Sequence, residues 1–152
     1  MTEVPEGFKR LDSGGDYIGV NGPLYLRRAG DRIELGFRVE PRHTNGMRIC
    51  HGGMMATFCD MLLPTITHLV VPGMADHFLP TISLHVDYLA PSPLGAWVQG
   101  TAEALHCTGS MAFAQGLVHA DDRLVARTNG IFKLSRRRRD GAPGQDAVGV
   151  PS

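Results

Sequence analysis

The chain has 152 residues, enough for one domain around a single hydrophobic core and too few for two. Hydrophobic residues make up 43% and charged residues 20%, and equal numbers of basic and acidic side chains leave no formal net charge, which argues against nucleic acid or an anionic membrane as partner. Cys50, Cys59 and Cys107 lack C-x-x-C spacing, no apolar run reaches the roughly 20 residues of a membrane span, and "MTEVPEGFKR" lacks leader features, so reduced thiols and a cytoplasmic location are expected.

In chain order, residues 1–22 form an N-terminal extension dense in turn residues, expected to wrap the surface before the first strand. "LYLRR" and "DRIELGFRVE" are predicted strands around a turn at Ala29-Gly30-Asp31. In the second, Ile33, Leu35, Phe37 and Val39 alternate with Glu34, Gly36 and Arg38. After the polar loop "PRHTNGMRIC" a helix is predicted over 52–71. Strands follow near 79–90, 95–107, 110–120 and 123–134, separated by the turns "APSPLG", "CTGS" and "HADDR". The last segment, 135–152, is rich in Gly, Pro and small residues after an Arg run and reads as a disordered tail. One long central helix followed by an antiparallel meander implies an α+β domain over 23–134, a curved sheet wrapped on a helix.

At 100° per residue, Met55, Phe58, Leu62 and Leu69 lie opposite Asp60 on this helix, with Met54 and Ile66 flanking them as a wide apolar stripe. Asp60 shares its side with Gly53, Ala56, Thr57, Pro64 and Thr67, the texture of a face that meets another backbone or borders a cavity. A solvated surface carboxylate fits the same pattern. Pro64 offers no N–H to the carbonyl of Asp60, so a kink is predicted at the acid. Gly52-Gly53 after His51 opens the helix, where first-turn N–H groups lack intrahelical acceptors and suit an anion or a polarised carbonyl oxygen. A flexible loop-to-helix junction also fits the glycine pair. Asn45-Gly46 defaults to a turn, with a hydrogen bond to water as the alternative.

Asn45, His51-Gly52-Gly53, Asp60 nine residues after the histidine, and "PTISLHVDYLAP" with Tyr88 and Pro91 as Tyr-x-x-Pro together resemble the hotdog-fold acyl-CoA thioesterases of the phenylacetate-degradation type. The resemblance covers roughly residues 20–134 and implies a hotdog fold and self-association as a dimer or dimer of dimers. It implies hydrolysis of an acyl-CoA to free acid and coenzyme A without metal or redox cofactor. In that scheme the Gly53 N–H stabilises the oxyanion, a donor worth about 3 kcal/mol of barrier. Asp60 of the opposite protomer acts as general base or nucleophile, because Asp60 is expected two and a half turns from the histidine on the reverse face of its own helix. Asn45 lies near the leaving thiolate or orients water, and His51 positions the loop.

Thr81 matches the hydroxyl that positions the attacking water in relatives, with Ser83, on the same strand face by alternation, as its rival. The substrate pocket is expected to use Gly52, Met54, Phe58, Met61 and Phe78, whose adaptable apolar side chains suit a medium-chain or aryl acyl group. Arg136 and Arg137 begin a run reaching Arg139 that pairs with coenzyme A phosphates or serves as a solvated basic tail. A non-catalytic acyl-CoA-binding or sensing protein is the competing class. The seven histidines show no metal-ligand spacing, and Cys50 beside His51 lacks a third group to make it a nucleophile.

Overall fold

The computed structural model describes residues 3–136. The strands are β1 (Lys9–Arg10), β2 (Tyr25–Ala29), β3 (Arg32–Arg38), β4 (His77–Phe78), β5 (Thr81–Tyr88), β6 (Trp97–Cys107), β7 (Met111–Ala120), β8 (Arg123–Lys133) and β9 (Ser135–Arg136). The α-helices are α1 (Gly15–Asn21) and α2 (Gly52–Val70). Seven strands form one antiparallel sheet in the order β1-β2-β3-β6-β7-β8-β5, and β4 pairs with β9 separately.

The alternation in β3 turns Leu35 and Phe37 to the core with no exposed surface. On β7 the inward positions Ala112, Ala114, Gly116, Val118 and Ala120 are small, which lets α2 lie close across the sheet. The clearest close approach is at Gly100 of β6, where an added Cβ would stand 2.6 Å from Leu62 Cδ2. The apolar stripe of α2 is buried as expected: Phe58, Leu62, Leu63 and Ile66 are almost wholly shielded, and the Phe58 ring meets Phe37 at 5.0 Å between centroids. Leu69, beyond the sheet's cover, is partly exposed.

Four expectations are corrected. The final four long strands are not one meander: β5 lies at the far edge beside β8, so only β6, β7 and β8 follow one another in space. The connection after β5 is more than a turn, because it docks on the segment before α2 through Cys50 N–H to Ser92 O (2.8 Å) and Leu94 N–H to Arg48 O (3.0 Å). The N-terminal extension contains β1 and α1, since Gly14-Gly15 starts and Gly22-Pro23 ends a short helix whose Ile18 is buried. Ser135 and Arg136, assigned to a disordered tail, form β9 against Phe78 and His77; the remainder of that tail, including Arg137, lies outside the described residues.

The helix α2 runs uninterrupted through Pro64, so loss of one backbone hydrogen bond does not end it. Among the described residues α2 is the one helix long and apolar enough to cross a membrane, but its most apolar face is the one the sheet covers.

Candidate active site

The start of α2 is fixed by His51. Its backbone is extended (φ −61°, ψ 138°), its N–H donates to His43 O at 2.8 Å, and its Nδ1 accepts the Gly53 N–H at 2.8 Å as an N-cap. An Nδ1 that accepts places the proton of a neutral ring on Nε2, which is then a donor. The Gly53 N–H, expected to hold the oxyanion, is bonded to the histidine ring here, and Gly52, at the first helical position, has an N–H without an intrahelical acceptor. The Gly52 carbonyl accepts the Tyr88 hydroxyl at 2.8 Å. Desolvation is the main cause that holds the Tyr88 phenol above its ordinary pKa, so it stays a donor.

Asn45 is committed to the turn that its following glycine suggests. Its Oδ1 accepts Met47 N–H at 2.9 Å, and its backbone bonds Ile49 and Arg48. The Nδ2 amide is the part of Asn45 able to donate to a ligand. Arg48 in this loop has φ 57°, a left-handed conformation held by the bonds on either side of it.

Two turns along α2, Asp60 Oδ1 accepts the Thr81 hydroxyl at 2.5 Å. Thr81 and Ser83 do not share a face. A β-bulge lies between them, so Thr81 pairs with the inward Phe132 while Ser83 pairs with Ile131 and joins His85 and Asp87 on the outer face. A one-residue slip reverses every side chain beyond it. On that outer face Asp87 accepts from Arg127 at 2.5 Å and meets His85 at 2.9 Å, and these bonds, Arg127 first, hold its carboxyl below the usual range.

Asp60 and Gly53 open on one cavity of about 840 Å³, together with Met61, Phe78 and Thr81. Asp60 is thus not on the reverse face of α2. Seven residues separate it from Gly53, about 10.5 Å of helical rise, with only a small rotation. Met54 and Phe58, expected to line the pocket, belong to the core: Phe58 has no exposed surface and Met54 7%. Pairing of Ser135 with Phe78 sets Arg136 beside a cavity residue.

The two cysteines nearest this region are not activated. Burial pushes the Cys50 thiol up to about 11 and Cys59 to about 12. Among the described residues no three metal-ligating side chains converge.

The sequence reasoning missed α1, which contributes Gly14, Gly15, Tyr17 and Ile18 to the cavity, with Tyr17 Oη and Thr57 Oγ1 3.0 Å apart. Its signals were the glycine pair before it and the Gly-Pro after it, which bracket a helix as well as a loop.

A long helix lying in a curved antiparallel sheet, with an acid and a helix N-terminus on one cavity, defines a hotdog-fold protein. Residues 47–127 match the model of the Thioesterase superfamily, and the chain belongs to that family of thioester hydrolases. It is 28% identical over 142 residues to a candidate esterase of Pseudomonas aeruginosa, covering 88% of this chain and 99% of the relative. It is 26% identical over 117 residues to mouse acyl-coenzyme A thioesterase 13, covering 75% and 73%. A mutant of the phenylacetic acid degradation protein PaaI from Thermus thermophilus shares the fold at TM-score 0.61 and 19% identity, over 78% of this chain and 97% of that one.

Proposed function

We propose that the protein hydrolyses acyl-CoA thioesters at the Asp60 cavity, using Asp60 as general base or nucleophile and the start of α2 as the oxyanion site of a dimer. The observation that carries this reading is the Thr81–Asp60 bond at the mouth of an apolar cavity that also reaches the helix N-terminus. With Oδ1 held by Thr81, Oδ2 is left to take a proton from water as the water oxygen attacks the thioester carbon. The carbonyl electron pair moves to oxygen, where the Gly52 N–H, the His51 Nε2–H and a Gly53 N–H released from its cap are the available donors. Collapse breaks the C–S bond, and the departing thiolate takes the proton from Asp60. In the nucleophilic variant Oδ2 attacks the carbonyl carbon, the C–S bond breaks to release the thiolate, and water cleaves the resulting mixed anhydride to the free acid and the Asp60 carboxylate, its proton passing to the thiolate.

One feature supports a second copy. The strand β5 is the open edge of the sheet and carries exposed Ile82 and Tyr88, with exposed Leu89 following it, a surface that a second β5 would cover. In such a dimer Asp60 of the partner subunit serves the α2 start of this chain. Arg136 and Arg137 are assigned to the coenzyme A phosphates, Phe78 and Met61 to a medium-chain or aryl acyl group, and Asn45 to the leaving thiolate or the water. A cytoplasmic location fits three unpaired cysteines.

The test is thiol release from short, medium and aromatic acyl-CoAs by wild type and Asp60→Asn, with acyl-CoA binding measured by calorimetry. Loss of turnover with binding retained supports the assignment. Unchanged turnover in the variant refutes it, and binding without turnover in wild type makes the protein an acyl-CoA sensor.

A further inference from the structure

Resting on the reading of the Asp60 cavity as the acyl site, we propose that α1 is its selectivity wall and that Tyr17 determines which acyl groups fit. Gly53, Thr57 and Asp60 follow i, i+4, i+7 spacing and form one stripe on α2. Tyr17 Oη and Thr57 Oγ1 are 3.0 Å apart, so the phenol ring stands between the helix start and the acid, beside the small residues Gly53 and Ala56. An acyl chain that runs from a carbonyl held at the helix start into this cavity passes this ring.

The wall is fixed along its length. At its entry Gly14 has φ +95°, and an added Cβ would overlap Ile18 and stand 3.1 Å from Met61 Cε, so the turn is seated directly on α2. Ile18 itself is buried. At its exit Asn21 O accepts from His43 Nε2 at 2.7 Å, and the Arg42 guanidinium donates to Gly22 O. His43 Nδ1 accepts Glu40 N–H at 3.1 Å, which leaves Nε2 as the donor in the first of these bonds. A segment tied at both ends and in the middle does not move aside for a longer ligand. With Tyr17 and α1 held across it, the cavity favours flat aryl or medium unbranched groups over long chains.

The experiment compares benzoyl-, octanoyl- and palmitoyl-CoA in wild type, Tyr17→Ala, Tyr17→Phe and Thr57→Val. Tyr17 is 62% exposed, so its truncation leaves the core intact, and melting temperatures check this. We expect Tyr17→Ala to raise the palmitoyl-to-octanoyl ratio of kcat/KM about tenfold, mainly through KM, as removing pocket-wall atoms does. Tyr17→Phe and Thr57→Val remove the same hydrogen bond and should give equal, smaller shifts that do not add when combined. A Tyr17→Ala ratio within twofold of wild type overturns the proposal. The same ratio measured as affinity in the Asp60→Asn background separates the two claims. A shifted affinity ratio without any turnover in wild type refutes hydrolysis and supports the wall, and an unshifted one refutes the wall whatever the turnover.

Discussion

Replacing Thr81 by valine removes one hydroxyl and keeps the shape of the side chain. That hydroxyl donates to Asp60 at 2.5 Å, a short bond to a group acting as a carboxylate. Hydrogen bonds to charged groups contribute about 1.5–3 kcal/mol, and the exposure of Thr81 places this one at the lower end. About 1.4 kcal/mol is tenfold in rate, so Thr81→Val should lower kcat/KM about tenfold while KM changes little, because Thr81 orients the acid more than it binds substrate. Thr81→Ser should retain most of the activity. Ser83→Ala should match wild type, since the bulge turns Ser83 to the outer face. Steady-state thiol release on a medium-chain acyl-CoA measures all three. Wild-type rates in Thr81→Val, or an equal loss in Ser83→Ala, would refute the reasoning.

Three further outcomes follow from the same structure. His51→Ala removes the cap on Gly53 and should destabilise by about 1 kcal/mol, a fall of about 2–4 °C in Tm by calorimetry, whereas His51→Asn, which keeps an acceptor near the Nδ1 position, should recover most of it. Burial, the largest cause, holds the buried His43 imidazole below its ordinary 6.5, so the unfolded chain binds a proton there before the folded one. Stability should therefore be full above pH 6.5 and fall as pH drops from 6.5 through the lowered value, and Tm against pH should flatten in that window for His43→Gln. Gly100→Ala drives a Cβ to 2.6 Å from Leu62 Cδ2 and should destabilise by about 1–3 kcal/mol in urea unfolding, with Leu62→Val partly relieving it.

The elements with a strong local period were legible in the sequence. The strand β3 alternates in sequence, the turns "CTGS" and "HADDR" mark the ends of β6, β7 and β8, and α2 carries a stripe from Met54 to Ile66, so their bounds fell within a few residues. The place of β5 was not, because pairing with β8 rather than β6 depends on partners about 40 residues away that local pattern does not encode. The same strand hid the site hydroxyl, since regular alternation groups Thr81 with Ser83 and only the bulge separates them. The seven-residue α1 is too short for a helical period and holds Gly19 inside it. The small neighbours of Asp60 left another backbone, a cavity or solvent open as its surroundings, and the structure puts it on a cavity. The occupied Gly53 amide was beyond reach, because it depends on how the His51 ring is turned.

The central claim is that Asp60 serves the α2 start of another copy. Mixed dimers test it directly: Asp60→Asn is combined with an Asn45→Ala/His51→Ala double variant, each first verified to lack activity alone, and thiol release is measured after subunit exchange. If the site is shared, half of randomly mixed dimers are hybrids with one intact site of two, and activity should return to about a quarter of the wild-type value. If both halves come from one chain, every site in the hybrid remains broken, and no recovery above the separate variants would contradict the account.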